Sequence, residues 1–271
     1  MTNEYNLVDI GANLTHESFQ SDLEVVIKDA EQAGVTRLVV TGASEVGSQQ
    51  AAQLASHYEN VFSTAGIHPH HASECSSDTI SGLKEFCAQP KVVAVGETGL
   101  DFFRDFSPRH TQEKWFARQL EIAVDLQQPI FLHEREAHDH FIGILREYRD
   151  NLIQVVVHCF TGTEEELRTY LEMDCHIGIT GWICDERRGH HLRDFIHLIP
   201  DNRLMIETDA PYLLPRDIRP KPKSRRNVPA NLPHILNAVA TAREQSATHV
   251  ANSTTKTAQA FFGLPQLLLD R

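Results

Sequence analysis

The sequence predicts a closed (β/α)8 barrel of the TIM type. Two observations carry that expectation. Eight short, β-rich apolar runs follow one another along the chain with amphipathic helical stretches between them, the alternation that builds a parallel sheet. No phosphate-binding GxGxxG loop follows the first run, where GANLT (11–15) stands instead; a doubly wound open sheet, the alternative, usually carries one there. The 271 residues suit one such barrel of roughly 250 residues, so a single domain over 1–271 is expected.

The runs and what ends them can be taken in order. LVDI (7–10) opens the chain and carries Asp9 into GANLT, with Asn13 just beyond. Leu23, Val26, Ile27 and Ala30 then recur at helical spacing, and Gly34 is a helix stop. RLVVTG (37–42) is the second run, and VFSTAG (61–66) the third, leading into His68, His70 and His71. VVAVGE (92–97) ends in Glu97 and continues TGLD to Asp101. Phe116, Leu120, Ala123 and Val124 mark the next helix. PIFLH (129–133) ends in His133, QVVVH (154–158) in His158, and HIGIT (176–180) leads to CDERRG. RLMIETD (203–209) ends in Glu207 and Asp209, two apart and so expected on one face of a strand. From about 229 the chain reads as two closing helices.

Each polar strand end has an ordinary explanation by itself: a histidine bonded to backbone, a glutamate capping a helix, Glu207 as a buried partner of another polar group. Together they point elsewhere. The carboxyl ends of barrel strands converge on one mouth. Several unpaired imidazoles and carboxylates crowded there are costly unless something satisfies them. A divalent metal would do so, with Zn2+, Mn2+ and Mg2+ all compatible with mixed His and carboxylate ligation. The string HEREAH (133–138) is not a zincin helix, because its histidines lie five apart rather than four.

The charge is uneven. The net charge is −12, which disfavours a general nucleic-acid coating protein. Yet PYLLPRDIRPKPKSRRN (211–227) holds Arg216, Arg219, Lys221, Lys223, Arg225 and Arg226 against Asp217 alone, and Arg187 and Arg188 follow the seventh run. Loops after strands seven and eight of these barrels commonly bind phosphate. A phosphate-bearing substrate fits better than a merely solvated loop. The five cysteines are odd in number and form no CxxC, so free thiols in a reducing compartment are expected. No run of about 20 apolar residues is present, and the first residues lack a signal-peptide pattern; a cytoplasmic protein without membrane attachment is the expectation.

GIHPH, GETGLDF, PIFLHEREA, VVHCFTG, GITGWICDERRG, ETDAPYLLPRD and SRRNVPANLPHIL together resemble the TatD family of metal-dependent deoxyribonucleases, over nearly the whole chain. The resemblance implies an amidohydrolase-like TIM barrel. It implies a Mg2+-dependent 3′-to-5′ exonuclease acting on single-stranded DNA and on RNA, with a part in DNA repair or turnover; Mn2+ and Zn2+ are the alternative ions and a monomer is expected. By motif, it makes Glu97, His133 and His158 metal ligands, Asp209 a further ligand or the catalytic acid/base, and His68 an active-site residue. Arg135, with Arg187, Arg225 and Arg226, would hold the substrate, and Asp9, Asn13 and Glu207 would support the site. One departure stands out: where the wider family has HxH after the first aspartate, this chain has Gly11 and Asn13. The first-strand side is therefore expected to bind metal weakly. The rival readings are a barrel hydrolase of a small ester, lactone or cyclic amide, and a binding or quality-control protein that has lost catalysis.

Overall fold

The structure is a computed structural model describing residues 5–265. Eight strands form one parallel sheet in sequence order. They are β1 (Leu7–Ala12), β2 (Val35–Val40), β3 (Val61–Ala65), β4 (Val92–Asp101), β5 (Ile130–Arg135), β6 (Val155–Val157), β7 (His176–Ile179) and β8 (Leu204–Ile206). The seam between β8 and β1 is closed by the parallel bridge Ala12–Ala210 and by Asp209 N–H donating to Gly11 O at 2.8 Å. The closed (β/α)8 barrel expected from the sequence is the observed fold.

The period-2 alternation of each strand sorts its side chains. Val8, Ile10, Val39, Phe62, Ala94, Phe131, Val156 and Met205 fill the barrel interior. Their neighbours Leu7, Leu38, Val40, Val95, Ile130, Leu132, Val155, Val157, Leu204 and Ile206 face the surrounding helices. Those helices are α1 (Leu23–Gln32), α2 (Glu45–His57), α3 (Thr79–Cys87), α4 (Arg109–Leu126), α5 (His138–Tyr148), α6 (Glu164–Glu172) and α7 (Leu192–Phe195), followed by the closing pair α8 (Leu232–Ala242) and α9 (Ala247–Phe262). Val26, Ile27 and Ala30 of α1 and Phe116, Leu120 and Ala123 of α4 are buried as their spacing requires. Ala258, Phe261 and Phe262 of α9 join the interior cluster from below and plug the end opposite the mouth. Among the described residues no helix is long and apolar enough to cross a membrane, and all five cysteines are free.

Two strands differ from their sequence reading, and both differences shape the mouth. β4 runs ten residues, through Asp101. Its pairing with β5 jumps from Val95–Ile130 to Thr98–Leu132, so one extra residue bulges out around Glu97. Gly99, at φ +146°, lets the two backbones close up: a Cβ there would meet His133 O at 1.8 Å. β8, by contrast, stops at Ile206. The expectation that Glu207 and Asp209 share a strand face is therefore corrected. The carboxylate of Asp9 takes the Thr208 N–H at 2.9 Å and the Thr208 hydroxyl at 2.5 Å, and Asp209 turns into the left-handed region at φ +53°. Both acids still reach the mouth, but through a turn held by Asp9.

Candidate metal centre

Glu97 stands at the centre of the mouth. The β4 bulge delivers it inward, and its Oε1 faces three imidazoles: His158 Nε2 at 2.7 Å, His133 Nδ1 at 3.0 Å and His68 Nε2 at 3.5 Å. His133 comes from β5, His158 from the residue after β6, and His68 from the turn after β3. His68, Glu97 and His133 place one donor atom each within 4.8 Å of one another. His158 lies on the far side of Glu97, its ring packed 4.6 Å from that of Phe131.

Two of the three imidazoles, His158 and His133, are each oriented by a second carboxylate. His158 Nδ1 lies 3.3 Å from Glu207 Oε2, and Glu207 also accepts the Cys159 N–H at 2.5 Å. His133 Nε2 lies 3.4 Å from Asp101 Oδ2, which also meets His70 Nε2 at 2.8 Å. Asp101 is fixed in turn by the backbone N–H groups of Phe103 and Arg104. Carboxylate partners of this kind set which ring nitrogen is free for a metal.

The electrostatics follow from burial competing with pairing. Burial alone would raise Glu97, but His158 and His68 outweigh it, and the carboxyl sits well below its usual range. Burial would lower His158, but Glu97 and Glu207 hold it well above its ordinary value. His133 is raised likewise, against burial, by Asp101 and Glu97. His68 is the exception: burial dominates and drives it well below. Asp209 is pushed up to about 7, first by burial and then by Glu97 and Glu207, with His158 and the amide of Asn13 opposing; Asn13 Nδ2 donates to Asp209 Oδ1 at 2.9 Å. Asp9 is also pushed up to about 7 by burial, against its bonds from Thr208. Asp9 thus faces the β8 turn rather than the imidazoles.

These side chains fit a divalent ion. Imidazole nitrogens and a carboxylate with converging donor atoms form a nitrogen–oxygen set, in which an ion would take the place of the imidazole protons that pair with Glu97.

Beside the mouth lies a cavity of about 970 Å³ lined by Trp182, Arg187, Arg188, Arg216, Lys221 and Arg225 among others. Arg188 stacks on Trp182, 4.3 Å from the ring centroid. Arg135, at the end of β5, stacks on the half-exposed Phe103 ring at 3.9 Å. Arg226 is placed elsewhere: its guanidinium is bonded to Asp22 at 2.6 and 2.9 Å and to Ser18 O at 2.5 Å. The structure therefore gathers Arg187 and Arg225 at one cavity and leaves Arg226 tying the basic loop to the start of α1.

Three supporting residues were not assigned a role from the sequence. Asp101 and His70 extend the cluster, and the GETGLD string had placed Asp101 four residues past Glu97. Gln119 of α4 gave no signal. It is fully buried, accepts from Ile67 N–H at 2.7 Å and donates to Thr98 Oγ1 at 2.6 Å, so one amide pins the neighbours of both His68 and Glu97.

The chain resembles known proteins over nearly its whole length. A family model described as "TatD related DNase" matches residues 8–263. A protein of Pantoea ananatis named 3′-5′ ssDNA/RNA exonuclease TatD is 51% identical over 259 residues, covering 95% of this chain and 100% of the relative. The protein of that name from Escherichia coli K12 is 49% identical, covering 95% and 99%. Among solved structures, the TatD homologue YJJV of Escherichia coli superposes with a TM-score of 0.88 at 26% identity, over 96% of this chain and 99% of that one. A TatD-family hydrolase of Entamoeba histolytica superposes with a TM-score of 0.86 at 26% identity, over 97% and 100%.

Proposed function

Since the chain belongs to the TatD related DNase family, we propose that it is a metal-dependent 3′-to-5′ exonuclease that hydrolyses terminal phosphodiesters of single-stranded DNA and RNA. The observation that carries this reading is the juxtaposition of the His68, Glu97 and His133 donor set with an arginine-lined cavity after β7 and β8. A small ester or lactone would have no use for that concentration of positive charge.

Glu97, His133 and His68 would hold the ion, with His158 completing the set from the other side of Glu97. Mg2+ is the ion proposed, with Mn2+ and Zn2+ able to use the same donors. When bound, a divalent ion supplies Lewis-acid stabilisation of charge on the phosphoryl oxygens and a more acidic water.

The remaining work falls to the protein. Asp209, beside Glu97 at the mouth and steadied by Asn13, receives the proton of the attacking water and can return it to the leaving oxygen. Glu207 holds the His158 ring in register, and Asp101 holds His133. Arg135 at the mouth offers its guanidinium to the scissile phosphate, and Arg187 and Arg225 hold the next phosphates of the strand. Trp182 and Tyr212 offer stacking faces for unpaired bases. The 1–271 chain works as one domain and a monomer, in cytoplasmic repair or turnover of DNA.

The test is release of mononucleotides from 5′-labelled single-stranded DNA with Mg2+. Stepwise shortening from the 3′ end is expected, abolished by EDTA and lowered at least ~1,000-fold in Glu97→Ala. Equal release by wild type and Glu97→Ala would overturn the reading.

A further inference from the structure

Outside the Glu97 cluster, Cys184, Asp217 and His234 bring a sulfur, an oxygen and a nitrogen within 4.8 Å of one another. They come from three separate pieces of chain. Cys184 ends the short 3-10 turn after β7, Asp217 lies in the basic loop after β8, and His234 is in the first turn of α8. We propose that these three residues form a second metal site, selective for Zn2+, that pins the basic loop to the barrel.

The donor chemistry makes the choice of ion. A thiolate, an imidazole and a carboxylate suit Zn2+ and exclude Mg2+, which wants oxygen. The donor set at the mouth, His68, Glu97 and His133, contains no sulfur, so a thiolate–metal bond marks this second site alone. The burial is graded as an entry path requires: Cys184 is fully buried, whereas the side chains of Asp217 and His234 are 42% and 36% exposed. Three protein donors leave a fourth tetrahedral position for water.

Charge also balances. A thiolate and a carboxylate neutralise a divalent ion, and among the described residues the other charged group paired with Asp217 besides His234 is Arg193, whose Nη2 is 4.0 Å from Asp217 Oδ2. His234 Nε2 and Asp217 Oδ1 share a hydrogen bond of 2.6 Å. Tetrahedral ligands about 2.0–2.3 Å from zinc stand roughly 3.3 Å or more apart, so binding puts the metal where the shared proton was, releases the Cys184 thiol proton to solvent, and parts the pair by at least about 0.7 Å.

The consequence is positional. Asp217 directly follows Arg216, which lines the basic cavity with Lys221 and Arg225. An ion at this site would fix the loop that presents those cations.

Co2+ is the probe, added to the full chain in excess Mg2+ so that the mouth stays supplied. A thiolate-to-cobalt charge-transfer absorption at one equivalent is expected, displaced by Zn2+. Cys184→Ser should lose the band, and Cys159→Ser, whose thiol lies near the mouth, should keep it, as should Glu97→Ala. His234→Ala leaves the buried thiol in place and should weaken Co2+ binding by at least about tenfold, the size seen even for outer partners of metal ligands; it also answers for the case in which Cys184→Ser fails to fold. No thiolate band in the wild type, a band that survives both Cys184→Ser and His234→Ala, or one that disappears with Cys159→Ser would overturn the proposal. None of these readouts depends on nuclease activity.

Discussion

Gly11 and Glu207 compete for one volume: a Cβ on Gly11 would stand 2.4 Å from Glu207 Oε2 and 3.2 Å from Phe131 Cζ. Glu207 cannot simply swing away, because Gly178 forms its other wall, Cys159 N–H and His158 hold its carboxylate, and it is fully buried. The absent first histidine of the HxH pattern is thus explained by what replaces it. The space is taken by the carboxylate that orients His158.

Substitutions at this pair should show the competition. Gly11→Ala displaces Glu207 and should cost about 1–3 kcal/mol, the usual range for overpacking. Combining it with Glu207→Ala removes the clash, so the double variant should be less destabilised than the two single losses added together. Urea unfolding of the four proteins measures the coupling, and strict additivity would contradict the shared volume.

Glu207→Gln keeps the size but weakens the grip on His158. A loss of about 10–100-fold in activity or Mg2+ affinity is expected, as for other carboxylates behind metal-side histidines. A Mg2+ titration of the nuclease rate reads it, and an unchanged half-saturation and maximum would remove Glu207 from the orienting role.

Gln119→Met should act at a distance. It leaves the Ile67 N–H and Thr98 hydroxyl without their buried partner, at roughly 1–3 kcal/mol. It should also lower kcat, because those two residues flank His68 and Glu97. Thermal unfolding alongside the rate separates the two effects.

The arginines should divide in two. Arg187→Ala and Arg225→Ala should raise KM and flatten its salt dependence, since they line the cavity. Arg226→Ala should instead lower the melting temperature with little change in salt dependence, because its guanidinium is spent on Asp22 and Ser18. The reverse pattern would mean that Arg226 turns toward substrate.

His176 makes an acid-side prediction. At the foot of β7 it packs 4.9 Å from the Phe261 ring, and burial, with Arg203 nearby, lowers it to about 4. The unfolded chain binds this proton near 6.5, so stability is full above that value. It is lost as pH falls toward 4, by about 3 kcal/mol in all. His176→Gln should flatten that part of the stability profile, which chemical unfolding at stepped pH would measure.

The barrel was legible because eight apolar runs and their helices repeat a local pattern, and most of the mouth because barrel topology brings every carboxyl strand end to one place. Glu97, His133 and His158 follow from that rule alone. What was not legible depends on contacts between distant residues. Nothing local announces that β8 gives way at Ile206, since the cause is Asp9, nearly two hundred positions earlier. Arg226 reads as one more cation of a basic loop until Asp22 is placed beside it. Cys184 and His234 sit fifty positions apart in sequence, at spacings no metal motif describes.

The seam of the barrel has a mechanical meaning. Every other stave is joined to its neighbour by a ladder, but β8 and β1 meet through one bridge, the Asp209 N–H bond to Gly11 O and the grip of Asp9 on Thr208. The Asp209 turn hangs from that join. The cylinder is therefore built like a hoop with a clasp, and the clasp is also where the proton-handling residue is mounted. Breathing at this one line would release Asp209 while the other seven joins stay shut, so the amides of Thr208 and Asp209 should exchange with solvent ahead of the rest of the barrel wall.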